Sequence, residues 1–426
     1  MIKDCSFAFC GDSFITRNMP YNSSLSAVSD YLLKFDLRFT NLEVCLHDFN
    51  IPASAVSGGT WAGARPSVLD TLVDNYGFNA ITFANNHSAD WGIDGIKSTM
   101  EHLQRRNVSF AGCGNDLKEA SNPSYIDLPC GRIAMVGVST IVNPNVKASL
   151  SVDGIPARPG INYIRFKRVH NLLRKDYDAL LSILKKYIVS VKELSDSSFF
   201  YGERYFNAVD DEGNVRNYIE GNKKDIDRLL TSVEIAKYNA DFVFVSFHSH
   251  IMQGETYDVT PDFIKKIAMY VVDAGGDAFI GHGVHVLRGI DFYKGKPLLY
   301  GLNSFIFMNS SVEKQPYDFY ENYDIDDALS LDEAIKIRNQ TKEYEFFACR
   351  DAFDSMICSL DIKDNKVSAL RIKPLVLKRN KDDSLNGFPI FAKDDDYDFI
   401  LDRIRKLSDS VGDYIKDNRD FGCIML

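Results

Sequence analysis

Apolar and polar residues alternate in a regular rhythm over the first 145 residues of the chain. Short apolar runs predict strands, and the longer stretches between them carry apolar residues at helical spacing. The predicted strands are SFAFC (6–10), FDLRFTNLEV (35–44), FNAITFANN (78–86) and VSFAG (108–112), and the predicted helices cover 24–34, 65–77 and 92–107. This alternation predicts an α/β fold, in which functional side chains collect at the carboxyl ends of the strands.

The same rhythm returns in the second half of the chain. DFVFVSFHSH (241–250) and DAFIGHGVH (277–285) predict strands on either side of a helix at 262–275. Two hairpins are also predicted, at 124–140 with a turn at Cys130 and Gly131, and at 290–307 with a turn at Lys294 and Gly295.

Two segments depart from this rhythm. Residues 147–240 show helical periodicity at 166–195 and 225–239, which predicts a helical insertion that caps the sheet. From about 341 to 426 we predict a C-terminal extension with strands at 344–350, 354–362 and 366–377 and a helix at 396–412. Since no repeat or long linker interrupts the chain, we predict a single domain over 1–426.

Composition narrows the class of protein. With 45% hydrophobic and 25% charged residues among 426, the chain is typical of a globular protein with a full core. Its formal net charge of -10, without a basic block, argues against a nucleic-acid partner. The eight cysteines are scattered without a C-x-x-C pair, which favours buried free thiols. Because the chain shows neither an apolar leader nor a run of about 18 apolar residues, we predict a cytoplasmic protein without membrane insertion.

Metal-capable side chains follow five of the predicted strands. Each one alone could serve a turn, but together they form the ligand set that suits manganese, iron or zinc. The residues are Asp12, Glu43, Asn86 with His87, His248 with His250, and His282 with His285. Because strands of one sheet can bring such residues to a common edge, we predict a site for one or two divalent cations. The remaining histidines, His47, His102 and His170, lack such neighbours, and we expect structural or surface roles for them.

The motifs at these strand ends resemble those of the CapA-type capsule-synthesis family. The matching segments are GD (11–12), NLE (41–43), NNH (85–87), GHGVH (281–285) and GKPLLYGLNSFIF (295–307), together with SGGTWAGARP (57–66) and GIPARPGINYIRF (154–166). Proteins of that family are associated with poly-γ-glutamate capsules, and their fold is related to calcineurin-like metallophosphoesterases. The resemblance covers nearly the whole chain. It implies a four-layer α-β-β-α sandwich with a helical insertion, and other capsule-synthesis proteins as partners.

The resemblance to metallophosphoesterases also implies a role for each candidate residue. The implied ligands are Asp12 and His285 for one metal, Asn86, His248 and His282 for a second, and Glu43 as a bridge between the two. His87 resembles the general acid of the family, since a histidine can protonate a leaving group near neutral pH. Two cations would lower the pKa of a bridging water and stabilise charge on a phosphoryl or carbonyl oxygen.

Three positions depart from the phosphoesterase pattern. Phe14 stands where the first motif usually carries a histidine, so one metal site lacks a ligand. Glu43 replaces the usual bridging aspartate and has a longer reach. His250 stands in HSH where the family usually has HWG, and it shares a face with His248 if the strand continues. His250 could be an added ligand, a second acid–base group or a plain loop histidine.

Three further residues are candidates for supporting roles. Arg65 and Trp61 follow the loop sequence SGG and could bind an anionic or peptide substrate, because loops on α/β scaffolds often carry function. A tryptophan is, however, more often a packing anchor. Asn303, in GLNSF, is a candidate to support the metal site from behind its ligands.

These features leave three functions open. The leading hypothesis is a CapA-type, metal-dependent hydrolase that acts on a phosphoester or on a small-molecule, peptide or polyglutamate-like substrate. The second is a metal-dependent peptide epimerase, because a cation on a carbonyl with a histidine beside it could favour removal of an α-proton. The third is a non-catalytic accessory subunit of a capsule-synthesis complex, which would bind metal without turnover.

Overall fold

A computed structural model describes residues 4–140, 143–188, 190–341, 344, 349–363, 366–379 and 384–425. In chain order the strands are β1 (Cys5–Phe14), β2 (Leu37–Leu42), β3 (Cys45–Leu46), β4 (Gly63–Ala64), β5 (Ala80–Thr82), β6 (Ser109–Ala111), β7 (Cys113–Gly114), β8 (Ser124–Leu128), β9 (Gly131–Thr140), β10 (Gly160–Ile161), β11 (Tyr163–Ile164), β12 (Phe166–Leu173), β13 (Lys192–Ser195), β14 (Ser198–Tyr201), β15 (Arg204–Val209), β16 (Arg216–Gly221), β17 (Phe242–His248), β18 (Ala278–His282), β19 (Ile290–Tyr293), β20 (Lys296–Leu299), β21 (Ser304–Phe307), β22 (Asp354–Lys363), β23 (Lys366–Leu377), β24 (Pro389–Phe391), β25 (Lys416–Asp417) and β26 (Gly422–Met425). The α-helices are α1 (Ser23–Leu32), α2 (Gly92–Arg105), α3 (Leu117–Ser121), α4 (Arg174–Tyr187), α5 (Lys223–Asn239), α6 (Asp262–Asp273), α7 (Tyr317–Asn322), α8 (Leu331–Arg338) and α9 (Asp394–Leu407).

The larger of two main sheets carries the N-terminal strands. Its strand order within the described residues is β25-β26-β23-β22-β1-β2-β5-β6, with β21 beside β1 and β24 beside β23. β1, β2, β5 and β6 run parallel, whereas β22 pairs with β1 antiparallel. β2 and β5 end earlier than predicted, at Leu42 and Thr82, so Glu43 and the Asn85–Asn86 pair lie beyond the ends of these strands. The polar strand ends therefore face the rim of the sheet and do not extend it.

The second main sheet contains the later strands. Its order is β11-β9-β17-β18-β20-β19, with β8 beside β9, and β9, β17, β18 and β20 run parallel. Both predicted hairpins are confirmed as the antiparallel pairs β8–β9 and β19–β20. In the second hairpin Lys294 and Gly295 have φ angles of 50° and 72°, and a tight two-residue hairpin turn favours such positive values.

The two main sheets pack against each other face to face. Phe7 and Phe9 of β1 contact Phe242 and Phe244 of β17, with ring centroids 5.0 and 5.1 Å apart. Ala8 points to the other side of the larger sheet, where α1 and α2 pack, and α5 and α6 cover the outer face of the second sheet. Since burial of one such side chain is worth about 1.5–3 kcal/mol, this interface anchors the fold. The predicted α/β architecture is confirmed, and burial on both faces explains the continuous apolar runs of the parallel strands.

The segment 147–240 corrects the prediction of a helical insertion. Within its described residues a sheet of order β13-β14-β15-β12-β16 accompanies the helices α4 and α5. The helix predicted over 166–195 is reduced to α4 in its middle. At one end 166–173 forms β12 and pairs with β15 and β16, and at the other end 192–195 forms β13 and pairs with β14. Long-range pairing thus overrides a local periodicity that suits a helix. The helix predicted at 225–239 is confirmed by α5.

The C-terminal extension is mostly as predicted. β22 and β23 form a long antiparallel pair that continues the sheet begun by β1. The helix α9 spans 394–407 and overlaps the helix predicted at 396–412 over 396–407. The strand predicted at 344–350 lies largely outside the described residues. Both ends of the chain therefore meet in one sheet, as a single domain over 1–426 would require.

Candidate metal centre

Strand ends from both main sheets bring the predicted ligands together at one edge. Their donor atoms form three overlapping groups, each within 4.8 Å, and most of these side chains are fully buried. The groups are Asp12 with His248 and His282, Glu43 with His248 and His250, and Asp12 with Glu43 and His285. Residues separated by more than 270 positions in the chain thus share one polar cluster inside the protein.

Asp12 is held by several donors. Its Oδ1 atom is 2.9 Å from Nδ1 of His282 and accepts a hydrogen bond from Nδ2 of Asn41 at 2.7 Å, and its Oδ2 atom accepts one from the backbone N–H of Gly283 at 2.9 Å. Burial opposes ionisation of this carboxyl, but the neighbouring His282 and His248 hold its pKa well below the usual value. Asp12 is therefore an ionised, firmly oriented carboxylate.

The backbone behind Asp12 explains why Gly11 precedes it. A Cβ atom on Gly11 would lie 1.7 Å from the carbonyl oxygen of Asn303, so only glycine fits there. The same carbonyl accepts the N–H of Asp12 at 3.1 Å. Asn303 adopts a φ of 62°, and its side-chain Nδ2 donates to the carbonyls of Asp351 and Asp354 at 3.0 and 2.6 Å. Asn303 thus lies behind Asp12, and its role in supporting the metal site stays a prediction.

Glu43 contrasts with Asp12, because no described residue donates a hydrogen bond to its carboxyl group. It is fully buried, and among the described residues neither carboxylate oxygen has a hydrogen-bond partner. Nε2 of His248 and Nε2 of His285 lie 3.6 and 3.8 Å from its Oε1 atom. Burial, and then the negative charges of Asp12 and Asp90, raise the pKa of Glu43 well above its usual value. A buried carboxylate of this kind is costly unless a cation is bound to it.

Asn86 contacts His248, the last residue of β17, and His250 just beyond that strand. The Oδ1 atom of Asn86 is 2.8 Å from Nε2 of His248 and 3.1 Å from Nε2 of His250, while its Nδ2 atom donates to the carbonyl of Gly58 at 2.9 Å. Burial, and then the neighbouring histidines, keep the pKa of His250 well below its usual value. The imidazole is then neutral, which is the form that binds metals.

His282 and His285 flank the cluster on strand β18 and the turn after it. Nε2 of His282 is 2.7 Å from Oγ of Ser246, and Nδ1 of His285 is 3.0 Å from Oγ of Ser304. His285 has a φ of 53°, an uncommon value for a residue with a side chain. Burial lowers the pKa of His285 to about 4, so its imidazole is also neutral near pH 7.

His87 is paired with a carboxylate. Its Nδ1 atom is 2.7 Å from Oδ2 of Asp90, and both side chains are buried. Asp90 also accepts the backbone N–H groups of Gly58 and Ala62, each at 2.8 Å, which fixes its orientation. The pair orients the His87 ring and leaves its second nitrogen for a proton.

A cavity of about 200 Å³ opens beside the cluster. The metal-capable side chains on its wall are Asn86, His87, His250 and His285, and other lining residues include Phe14, Thr60, Asn309 and Tyr344. The ring of Phe14, at the position of the missing ligand, lies edge-on to His87 with centroids 5.4 Å apart. Phe14 therefore supplies an apolar wall in place of a donor. The guanidinium of buried Arg338 donates to Oγ1 of Thr60 behind this wall.

The structure does not bring Arg65 and Trp61 to the cavity. Arg65 is half-exposed, and its Nε atom donates to Oε2 of Glu313 at 2.8 Å. Trp61 is buried in the core, and its Nε1 atom donates to the carbonyl of Ser54 at 2.6 Å. Their placement corrects the expectation of substrate contact, because an ion pair occupies one side chain and core packing the other.

Sequence reasoning missed two residues of the cluster. Asn41 links Asp12 to β5. Its Nδ2 atom donates to Oδ1 of Asp12, and its Oδ1 atom accepts a hydrogen bond from Oγ1 of Thr82 at 3.1 Å. Asn41 stands two positions before Glu43, so the alternation of side chains along a strand was a usable signal. Asp90 stands three positions after His87, a spacing that lets the two meet within one turn.

Comparison with known proteins supports the resemblance. The sequence profile described as "Bacterial capsule synthesis protein PGA_cap" matches residues 6–309. The uncharacterized protein y4sH of Sinorhizobium fredii is 28% identical over 98% of this chain and 92% of its own length. The capsule biosynthesis protein CapA of Bacillus anthracis is 26% identical over 55% of this chain and 41% of its own length. A probable polyglutamine synthesis accessory protein of Mycobacterium tuberculosis is 23% identical over 62% of this chain and 56% of its own length.

Within the part of the chain that the structure describes, no helix combines the length and the apolar character that crossing a membrane requires.

Proposed function

The chain belongs to the bacterial capsule synthesis family PGA_cap, and we propose that it is a metal-dependent hydrolase of that family. The proposal includes the finer architecture. The two packed sheets, with helices on their outer faces, would form the four-layer α-β-β-α sandwich of calcineurin-like metallophosphoesterases. The polar cluster would then be the active site at the carboxyl ends of the strands.

The unpartnered carboxylate of Glu43 carries the proposal. A buried charge needs a counter-charge, and the described residues provide no donor within hydrogen-bond distance of either oxygen. The donors around it are carboxylate, amide and neutral imidazole groups, which suit manganese, iron or zinc. The residues that would hold one or two such cations are Asp12, Glu43, Asn86, His248, His282 and His285. A divalent cation bound there supplies Lewis-acid polarisation of a substrate oxygen and lowers the pKa of a bound water.

The chain's own residues supply the remaining chemistry. His87, oriented by Asp90, would protonate the leaving group from its second ring nitrogen. Phe14 and Phe307 line the cavity and reduce access of bulk water to the reacting group. Asn303 would keep Asp12 in place through the backbone contact behind it.

The substrate we propose is a phosphoester or an amide of a polyglutamate-like polymer. Relatives with capsule and polyglutamine synthesis in their names favour the second class. A cavity of about 200 Å³ is smaller than ligand sites that enclose a whole molecule. It would therefore accept the end of a polymer or a small ester group, with the rest of the substrate outside.

The test compares His87→Ala with the wild type on bis-p-nitrophenyl phosphate and on poly-γ-glutamate, each with added Mn²⁺. We expect kcat to fall by about 10²–10⁴-fold, because a positioned proton donor contributes about that much. Metal content should not change, since His87 is not among the proposed ligands. The matched control is His102→Ala on α2, outside the cavity, and it should keep full activity.

Equal turnover by His87→Ala and the wild type would reject the acid role. Absence of turnover by the wild type on both substrates, with Mn²⁺, Fe²⁺ or Zn²⁺ bound, would reject the hydrolase. The second candidate, a non-catalytic accessory subunit, would then be favoured. One relative is named as a probable polyglutamine synthesis accessory protein, which gives this alternative its support.

A further inference from the structure

A further donor atom lies beside the proposed ligands. Nε2 of His250 is 3.1 Å from Oδ1 of Asn86 and 3.2 Å from Nε2 of His248. The same His248 nitrogen is 2.8 Å from Oδ1 of Asn86 and 3.6 Å from Oε1 of Glu43. Four donor atoms of three chemical kinds therefore converge at this point: a carboxylate oxygen, an amide oxygen and two imidazole nitrogens.

Four of the six distances among these atoms fit tetrahedral coordination, and the donor atoms of Glu43 and His250 lie within 4.8 Å of each other. Two ligands bound at about 2.0–2.1 Å in a tetrahedron lie about 3.3 Å from each other. The distances of 2.8, 3.1, 3.2 and 3.6 Å lie on both sides of that value. Hydrogen bonding alone explains the group less well, because both imidazoles would direct an N–H at one amide oxygen while Glu43 lacks a donor among the described residues. A single cation bound between them would account for the four measured contacts.

His282 lies on the other side of the cluster. Its Nδ1 atom is 2.9 Å from Oδ1 of Asp12, and its Nε2 atom is 2.7 Å from Oγ of Ser246. Its Nδ1 atom is also 3.1 Å from Nδ1 of His248. Among the described residues, the histidine nitrogens within 4.0 Å of Glu43 belong to His248 and His285, and His282 supplies none. Phe14, at the position of the missing ligand, offers no donor at all. A four-coordinate cation bound to Glu43, Asn86 and His248 would need a fourth donor from another residue.

We propose that His250 is a metal ligand, which completes a four-donor set with Glu43, Asn86 and His248. The inference rests on the proposed metal centre, but it names a ligand that the phosphoesterase resemblance does not supply. It assigns the second histidine of HSH to metal binding instead of acid–base chemistry. His250 also lines the cavity, so this donor set borders the space that receives substrate.

The test measures Zn²⁺ affinity of the full chain, stripped with EDTA, by equilibrium dialysis. We expect His250→Ala to weaken binding more than about 100-fold, because loss of even an outer partner of a metal ligand costs about 10–100-fold. His250→Asn keeps an oxygen donor and should recover part of that affinity. His102→Ala should bind as the wild type does. Thermal unfolding of the metal-free variants, compared with the metal-free wild type, shows whether each one folds.

The possible results separate this inference from the proposed hydrolase. Unchanged Zn²⁺ affinity of His250→Ala, with turnover lost, would overturn the ligand role and make His250 an acid–base group. If the wild type shows no turnover and His250→Ala binds Zn²⁺ more weakly than the wild type, the hydrolase is rejected and the ligand role stands. A wild type that binds neither Zn²⁺ nor Mn²⁺ would overturn both. If His250→Ala does not fold, wild-type affinity of a folded His250→Phe variant, which has no donor atom, would overturn the ligand role and weakened affinity would support it.

Discussion

Two buried carboxylates in different regions of the molecule have opposite surroundings. Asp225 lies on α5, close to the inserted sheet formed by β13-β14-β15-β12-β16. It accepts hydrogen bonds from Nε of Arg165 at 2.7 Å and from Nη1 of Arg228 at 3.0 Å. Despite burial, these arginines hold its pKa below the usual value. Glu43, at the strand ends, has no donor among the described residues, and its pKa is well above the usual value.

The different surroundings distinguish a carboxylate with a structural role, Asp225, from one that we propose binds metal, Glu43. Arg165 and Arg228 of the same chain supply the counter-charge for Asp225. The carboxylate therefore joins α5 to Arg165, just before β12, without a bound cation. None of the described residues supplies a counter-charge for Glu43 within hydrogen-bond distance, so the metal-free protein carries the cost of burying this carboxyl group. Burial alone would not separate the two, since both side chains are almost fully buried.

Glu43→Gln should have the largest effect on function and the smallest cost to the metal-free fold. We expect metal-dependent turnover to fall more than about 100-fold, because a bridging ligand matters more than the outer partners of ligands. The unfolding temperature in EDTA should stay equal or rise, since glutamine removes a buried ionisable group whose pKa burial raises and whose oxygens have no hydrogen-bond partner among the described residues. Turnover with Mn²⁺ and thermal unfolding in EDTA measure the two effects.

Glu101→Gln is the matched control for that change, because Glu101 is an exposed residue paired with Arg105 on α2. It should leave both measurements unchanged. The contrast between the two carboxylates would fail if Glu43→Gln destabilised the metal-free protein as much as loss of Asp225 does.

Asp225→Asn should have the reverse profile, with a loss of stability and little change in turnover. We expect the free energy of unfolding to fall by about 2 kcal/mol, the usual worth of hydrogen bonds to a charged group. Arg165 is half-exposed, so solvent screens part of its share. Urea unfolding at pH 7 gives the value. Asp227→Asn, on the same helix but exposed, should change stability by less than about 0.5 kcal/mol; an equal loss in both variants would contradict the structural role.

The sequence allowed much of the fold and of the site to be predicted, because both depend on local pattern. Apolar runs that end in Asp12, His248 and His282 identified strands and their polar ends together. Parallel strands then had to bring those ends to one edge. The motif order also identified the family before any distance was known.

The errors arose where a residue's role depends on a distant partner. The periodicity of 166–173 suits a helix, but pairing with β15 and β16 makes it a strand. Trp61 and Arg65 could be judged only once Ser54 and Glu313 were found beside them. Likewise, nothing in the neighbourhood of Asp225 predicts its pairing with an arginine 60 positions earlier.

The smallest predicted effect is the pH dependence of the Asp225 contribution. Its pKa is lower in the folded protein than in the unfolded chain, where an aspartate titrates at about 3.9. The stabilisation is therefore fully present above that pH and is lost as pH falls through the folded-state pKa. The difference in unfolding free energy between wild type and Asp225→Asn should stay constant from pH 7 to about 5 and shrink below about 4. Urea unfolding of both proteins across that range measures it; a difference that stays constant or grows down to pH 3 would show that the carboxylate charge is not what joins α5 to the inserted sheet.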